Sequence, residues 1–422
     1  MQETDHLESI PSRNDPYAAL RHPEFRHYII TRFAIVFALN MQSTLVGWKI
    51  YELTRDPLSL GLIGLAELIP ALSLALPAGH YVDGHEKRNM LLRCEYIYAA
   101  CGLSYVVFTS GFALHHLSLA LITGIIYLTT FAGGVVRAFN GPTSFSLMSL
   151  VVPRELYPNA TTWSSSAWQS GAVLGPLTGG LLYAWTGTTF SFGTVVLFHL
   201  LAMISLAFIR PKPVFYKKQG EKVWASLTEG IRFVFRTREV LGALSLDMFA
   251  VLFGGAVALL PVYADKILHV GAEGLGALRA APAVGSCVTL LLLAFIPLNR
   301  KAGLKLLGAV FGFGLSILVF GLSRSFLLSL GALFLSGVCD GVSVVIRNTI
   351  LQLKTPDEMR GRVSAVHSMF VGSSNEFGSF ESGVTARWMG TVPAVVFGGC
   401  MTLVVVLAMY FVSPSLRKLQ LK

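Results

Sequence analysis

Apolar residues in this chain arrive in successive runs of about twenty between residues 26 and 413, and nothing else in the sequence constrains the fold as tightly. A helix of about twenty residues matches the hydrocarbon thickness of a bilayer. Because no water is present there to satisfy backbone groups, each such run must close its own hydrogen bonds as a helix. Twelve runs are legible, near 26–51, 58–81, 89–111, 117–149, 159–184, 188–209, 240–264, 271–297, 303–322, 326–353, 363–388 and 393–413. The expected fold class is therefore an all-α integral membrane protein of twelve transmembrane helices. Only 13% of residues are charged and 53% are hydrophobic, against about 25% charge in ordinary globular chains, which argues against a soluble fold. The five cysteines (Cys94, Cys101, Cys287, Cys339, Cys400) all fall in apolar runs without disulfide or metal spacing, and read as small core residues. Residues 1–25 are polar and mixed in charge, so no cleavable signal is expected.

The chain also repeats itself at about half its length. The stretch Gly133–Glu155 sets a lone Arg137 inside an apolar run and ends at Pro153-Arg154-Glu155. Gly134, Arg137, Pro153 and Glu155 return as Gly337, Asp340, Pro356 and Glu358 at one offset of 203 residues, which also relates Gly175 to Gly378. Such a repeat in an apolar chain implies two homologous six-helix halves around a polar path. Matching positions carry charges of opposite sign. Arg137 stands against Asp340, Arg32 against Asp247, and Glu67, three residues before Pro70, against Arg279, three before Pro282.

The formal net charge of +10 is explained by where the basic residues fall. Alternate connections and the two tails hold 24 lysines and arginines, and the opposite connections hold four: Arg55, Lys266, Arg324 and Arg387. The positive-inside rule then puts both tails in the cytoplasm and leaves no surplus charge for nucleic acid; the inner, cytoplasmic membrane of the cell is the expected location. The expected divisions are a tail at 1–25, a first half at 26–209, a linker at 210–239, a second half at 240–413 and a tail at 414–422. Within the linker, Trp224, Leu227, Ile231, Val234 and Phe235 recur at helical spacing among arginines, as in an amphipathic helix lying on a membrane surface.

Several motifs carry a family resemblance. Gly79-His80-Tyr81-Val82-Asp83-Gly84-His85-Glu86-Lys87-Arg88 resembles the loop signature of the major facilitator superfamily; Gly79, Asp83, Lys87 and Arg88 match, while Tyr81, Gly84 and Glu86 depart. Arg137-Ala138-Phe139-Asn140-Gly141 is similar to its fourth-span signature, Gly171 to Gly180 to the fifth-span signature of its exporters, and Pro356 to Arg362 to its mirrored loop. The resemblance spans Tyr17 to Phe411. Arg137-Ala-Phe-x-x-Pro142, Ser374-Asn375-Glu376 and Phe380-Glu381-Ser382-Gly383 resemble the branch of enterobactin exporters and macrolide efflux pumps. The resemblance implies that spans one, four, seven and ten line the path. It also implies that Asp83 meets the start of span eleven, near Arg362–Ser364, when the cytoplasmic side closes.

A charge at mid-bilayer costs at least about 2.5–3.5 kcal/mol, so each such residue should face a partner or water. Glu376 and Glu381, on a polar stretch of span eleven, are the candidates for proton coupling, with Arg137, Asn140 and Glu67 beside them. Asp83, Lys87, Arg88, Arg32, Asp247, Asp340 and Arg279 are the candidate gating residues. The sign swap predicts that Arg137 and Asp340, and Arg32 and Asp247, meet as the halves close on the inner side. For any one of these charges, a static ion pair within a half or a side chain reaching toward the head groups is the alternative. Gly171, Gly175, Gly179 and Gly180 permit a close helix crossing that Pro176 bends, with plain packing as the alternative. His199 and His367 read as satisfied core residues rather than proton carriers.

These features favour a monomeric secondary transporter that exports a small amphipathic molecule, siderophore-like or drug-like, in exchange for protons, with no cofactor and no metal. A facilitator or lysophospholipid flippase of the same fold is the second transport reading. A membrane enzyme is the distant one, since no zinc-ligand spacing, nucleophile elbow or phosphate loop is present.

Overall fold

The computed structural model describes residues 15–214, 223–293, 301–356 and 359–420. The first part of the N-terminal tail, linker residues 215–222 and the repeat residue Glu358 lie outside them. In chain order the helices are α1 (Pro23–Thr54), α2 (Pro57–Asp83), α3 (Lys87–Phe108), the short α4 (Gly111–His116), α5 (Leu119–Val151) and α6 (Tyr157–Ala207). After the linker come α7 (Val223–Arg236), α8 (Arg238–Phe253), α9 (Leu260–Val262), α10 (Gly271–Leu293), α11 (Ala302–Leu322), α12 (Phe326–Lys354), α13 (Arg360–Met389), α14 (Thr391–Val412) and α15 (Pro414–Arg417).

Among the described residues ten helices are long and apolar enough to cross a membrane. Two details separate that number from the twelve runs. The 51 residues of α6 form one helical stretch of roughly 75 Å at about 1.5 Å per residue, more than twice a bilayer core. It breaks at Gly187, whose φ of 77° and ψ of −174° are not helical, in the gap between the fifth and sixth runs. The second detail is α13, which stays outside the ten because His367, its serines, Asn375, Glu376 and Glu381 keep its middle too polar.

The seventh run also differs from a plain helix. It stops at Phe253, passes through Gly254 and Gly255, and continues as short turns from Ala256 to Ile267. Two adjacent glycines are poor helix formers, and the gap they leave is used. A Cβ on Gly255 would stand 2.7 Å from the carbonyl oxygen of Gly378, so α13 crosses against the break.

The repeat has a structural counterpart. Gly134 of α5 lies on α2, where its Cβ would stand 2.4 Å from the Glu67 carbonyl oxygen and 2.7 Å from Pro70. Gly337 of α12 lies in the same manner on α10, against the backbone of Pro282. Each half is thus built around one glycine-to-proline joint between corresponding helices. Phe25, Tyr28, Leu91 and Leu147 anchor a core cluster in the first half; Leu244, Ile346 and Ile350 anchor one in the second.

The halves meet along α2 with α13 and α6 with α10. A Cβ on Gly61 would stand 3.2 Å from Gly383 Cα, and one on Gly180 would stand 2.4 Å from the Ala272 carbonyl oxygen. Gly171, Gly175 and Gly179 seat α6 on Phe37 and Met41 of α1, so the glycine motif binds α6 to both neighbours. These inter-half joints lie toward the face away from the chain termini. Near the other face, a Cβ on Gly79 would meet nothing within 4 Å. The linker helix α7 packs Ile231 and Val234 into the second half's core, leaves Phe235 exposed and lays Gly230 over Arg362.

Candidate functional site: a charged bridge between the halves

Where α2, α5 and α13 converge, Arg137 donates through Nη1 to Glu67 at 2.7 Å and to Glu376 at 2.8 Å. Gly134 sets this up. By drawing α5 onto the Glu67–Pro70 backbone it brings Arg137, nearly one turn further on, level with the Glu67 carboxylate. From the other half, Glu376 projects past Gly64, whose Cβ would stand 3.3 Å from its Oε2. Two carboxylates therefore share one guanidinium, one from each half. The arginine is only part-buried, with 45% of its side chain exposed, so the bridge can exchange with water or with a ligand.

Arg279 of α10 also crosses between the halves. Its guanidinium donates to the Ser43 carbonyl oxygen at 3.0 Å and to Ser43 Oγ at 2.7 Å on α1. The pairs expected on closure of the inner side are not made in this arrangement. Arg137 meets Glu67 and Glu376, because α2 and α13 lie against its part of α5. Asp247 pairs with Arg347 of α12, inside its own half. Arg32 has a buried Nε without a hydrogen-bond partner, and Asp340 lines a small cavity with Asp247, Cys339 and Ser343.

Asn140 does not line the path beside Arg137. It is buried and donates to Glu95 Oε1 at 3.4 Å, and the other oxygen of Glu95 lies 2.8 Å from His199 Nδ1. Glu95 and His199 are fully enclosed between α3 and α6, with Tyr98 stacked on the imidazole at 5.5 Å. Glu381 is separated from Glu376 as well, since five residues turn a helix by about 140° beyond a full turn. It lines an apolar crevice between α8 and α13.

On the face of the termini, Arg362 pairs with Glu229 of α7. Lys87 Nζ donates to the carbonyls of Val82, Asp83 and His85, closing the loop on itself. Arg88 donates to the carbonyls of Leu206 and Ala207, pinning α3 to the end of α6. Both basic residues are thus engaged inside the first half.

The opposite face carries a clasp that the sequence reading missed. Arg55 ends α1 in a left-handed conformation (φ 54°), and Asp56 caps α2 by accepting from Leu58 N–H at 3.0 Å. This tight turn presents opposite charges on adjacent residues, and each finds its complement in the other half. Arg55 bonds Asp265 at 2.6 Å, and Asp56 pairs with Arg387 at 3.4 Å. Tyr51 donates to Asp265, and Trp185 Nε1 donates to Glu273 at 3.1 Å. The available signal was that Arg55 and Arg387 are two of the four basic residues on that side.

The family model of transmembrane secretion effectors matches residues 14–420. Over 403 residues the chain is 25% identical to an enterobactin exporter of Shigella boydii serotype 4, covering 94% of this chain and 93% of that one. An enterobactin exporter of Escherichia coli O1:K1 / APEC matches at 25% over 401 residues, with the same coverage. Among solved structures, a bacterial homologue of the human lysosomal transporter Spinster, in an inward-facing and unoccupied conformation, superposes with a TM-score of 0.68 at 14% identity, covering 93% of this chain and 98% of that one. A D-xylose–proton symporter gives 0.70 at 13%, covering 94% and 99%.

Proposed function

The chain belongs to the transmembrane secretion effector family of the major facilitator superfamily, and we propose on that premise that it is a proton-driven exporter of a small amphipathic compound. As a multi-pass membrane transporter it works on a small molecule within a lipid bilayer. The finer reading places it in the cytoplasmic membrane as a monomer with both termini inside, so that the clasped face is the outer one. The relatives named as enterobactin exporters support a siderophore-like substrate, and drug-like compounds are the neighbouring class.

The observation that carries this reading is the bridge of Arg137 to a carboxylate in each half. With the outer side clasped, Glu376 is ionised and bound to Arg137. For the outer side to open, α13 must leave α2, and the Arg137–Glu376 bond must break together with the two clasps. A substrate entering from the inside must stabilise the opened arrangement by its differential binding. Once the substrate leaves outward, Glu376 stands unpaired and takes a proton from the outside. The neutral carboxyl returns with its half, and the approach of Arg137 expels the proton to the inside, since the charged pair forms only with an ionised acid. One proton moves in for each substrate moved out. Glu67 keeps Arg137 oriented throughout, within its own half.

The direct test is flux in proteoliposomes against a panel of siderophores, macrolides and lysophospholipids, with and without an imposed pH gradient. Uphill export of a siderophore or macrolide only with the gradient is the expected result. Lysophospholipid movement indifferent to the gradient would replace this reading with a flippase.

A further inference from the structure

Between α8 and α13 lies an open crevice of about 640 Å³, within the size range of small-molecule sites. Its walls are Met248, Leu252, Phe377, Phe380, Val384 and Trp388, with one carboxylate, Glu381, set among them. Glu381 pairs with no basic side chain among the described residues. Two of the wall hydroxyls are spent on the helix: Thr385 Oγ1 donates to the Glu381 carbonyl oxygen at 2.9 Å, and Ser374 Oγ to that of Phe370. Trp388, at the outer end of α13, is 80% exposed and Phe377 is 43% exposed. The crevice is therefore accessible, aromatic and negatively charged at a single point.

We propose that this crevice binds an amphipathic monocation, an apolar body bearing one protonated or quaternary nitrogen, with Glu381 as its counter-charge. The apolar walls take up the body by area burial. Ring faces of Phe377, Phe380 and Trp388 attract a cation, as aromatic faces do in general. A neutral ligand of equal shape would bury the carboxylate without compensation, and an anion would add repulsion. The proposal rests on the exporter reading and adds a charge class to it. Its site lies about 140° around α13 from the Arg137–Glu376 bridge, so cation binding and proton exchange have separate carboxylates.

The test uses two probes of nearly one shape and opposite charge, tetraphenylphosphonium and tetraphenylborate, titrated calorimetrically against the purified full chain in nanodiscs without any gradient. The wild type is expected to prefer the phosphonium by at least about tenfold. Glu381→Gln should abolish the preference, and Val384→Trp, which fills the crevice, should remove phosphonium binding. Both variants are to be compared at matched thermal unfolding. If Val384→Trp fails to fold, Glu381→Gln, an isosteric change, decides alone. A phosphonium preference that survives in Glu381→Gln, or a wild type that does not discriminate the two ions, overturns the proposal. That outcome would leave gradient-driven export untouched, whereas loss of gradient dependence with intact phosphonium binding would sink the exporter reading instead.

Discussion

Removing the two clasps should shift the protein toward the arrangement open on the face away from the termini. The informative perturbation is Asp265→Asn with Arg387→Gln. It takes out both second-half partners and leaves the Asp56 cap on Leu58 intact, so loss of a helix cap, worth about 1 kcal/mol, does not confuse the result. The clasps are partly exposed, with side-chain exposures of 56% and 32% for Arg55 and Asp265, and 57% and 35% for Arg387 and Asp56. Screening at such exposure holds each pair to about 0.2–1 kcal/mol. The 2.6 Å pair belongs near the top of that range and the 3.4 Å pair near the bottom. Their sum, about 1–1.5 kcal/mol, changes a conformational ratio by roughly tenfold. A minor state populated at about one part in a hundred would rise to about one in ten. Spin labels at His115 and Ser325 on the clasped face, and at Arg154 and Lys354 on the other, report both ends by pulsed electron resonance in a cysteine-free background. The double variant should lengthen part of the first distribution and shorten part of the second. Identical distributions on both faces would refute the clasp.

Three further outcomes are expected. Gly180→Leu places a side chain where a Cβ alone would stand 2.4 Å from the Ala272 carbonyl oxygen; it should abolish transport and lower stability by about 1–3 kcal/mol, read as a fall in the detergent melting temperature. Arg137→Glu sets three acids together and should stop transport, while Arg137→Glu with Glu376→Arg restores opposite charges across the halves and should recover part of the rate; a double variant no better than the worse single would end that pairing. Glu95→Ala leaves His199 and Asn140 without their shared acceptor in a fully enclosed site and should cost about 3–5 kcal/mol by chemical unfolding, with wild-type stability the contrary result.

Most spans were legible because bilayer physics leaves a strong trace: length and apolarity mark ten helices among the described residues, and Gly187 falls in a gap between two runs. The offset of 203 residues was equally readable, and its glycines prove to be the joints on Pro70 and Pro282. Neighbour relations were not readable. A repeat says which positions correspond and not which helices touch, and the contacts expected from the sign swap are those of a closed inner side. In this arrangement Arg137 finds the acids of α2 and α13, and Asp247 finds Arg347. The clasp escaped for a related reason. Arg55 and Asp56 sit beside each other, and their partners lie hundreds of residues away at helix ends whose proximity only packing decides. Glu376 and Glu381 look alike in the sequence, and only the placement of α2 and α8 around α13 separates a bridge from a crevice.

The most direct measurement is the response of Glu376→Gln to a pH gradient, made in proteoliposomes with a substrate that the wild type exports. Glutamine can still meet Arg137 but cannot exchange a proton. The variant should keep downhill exchange of substrate across the membrane while an imposed gradient no longer drives accumulation. Gradient-driven uphill export at the wild-type rate would contradict the assignment of Glu376 as the proton-carrying half of the bridge.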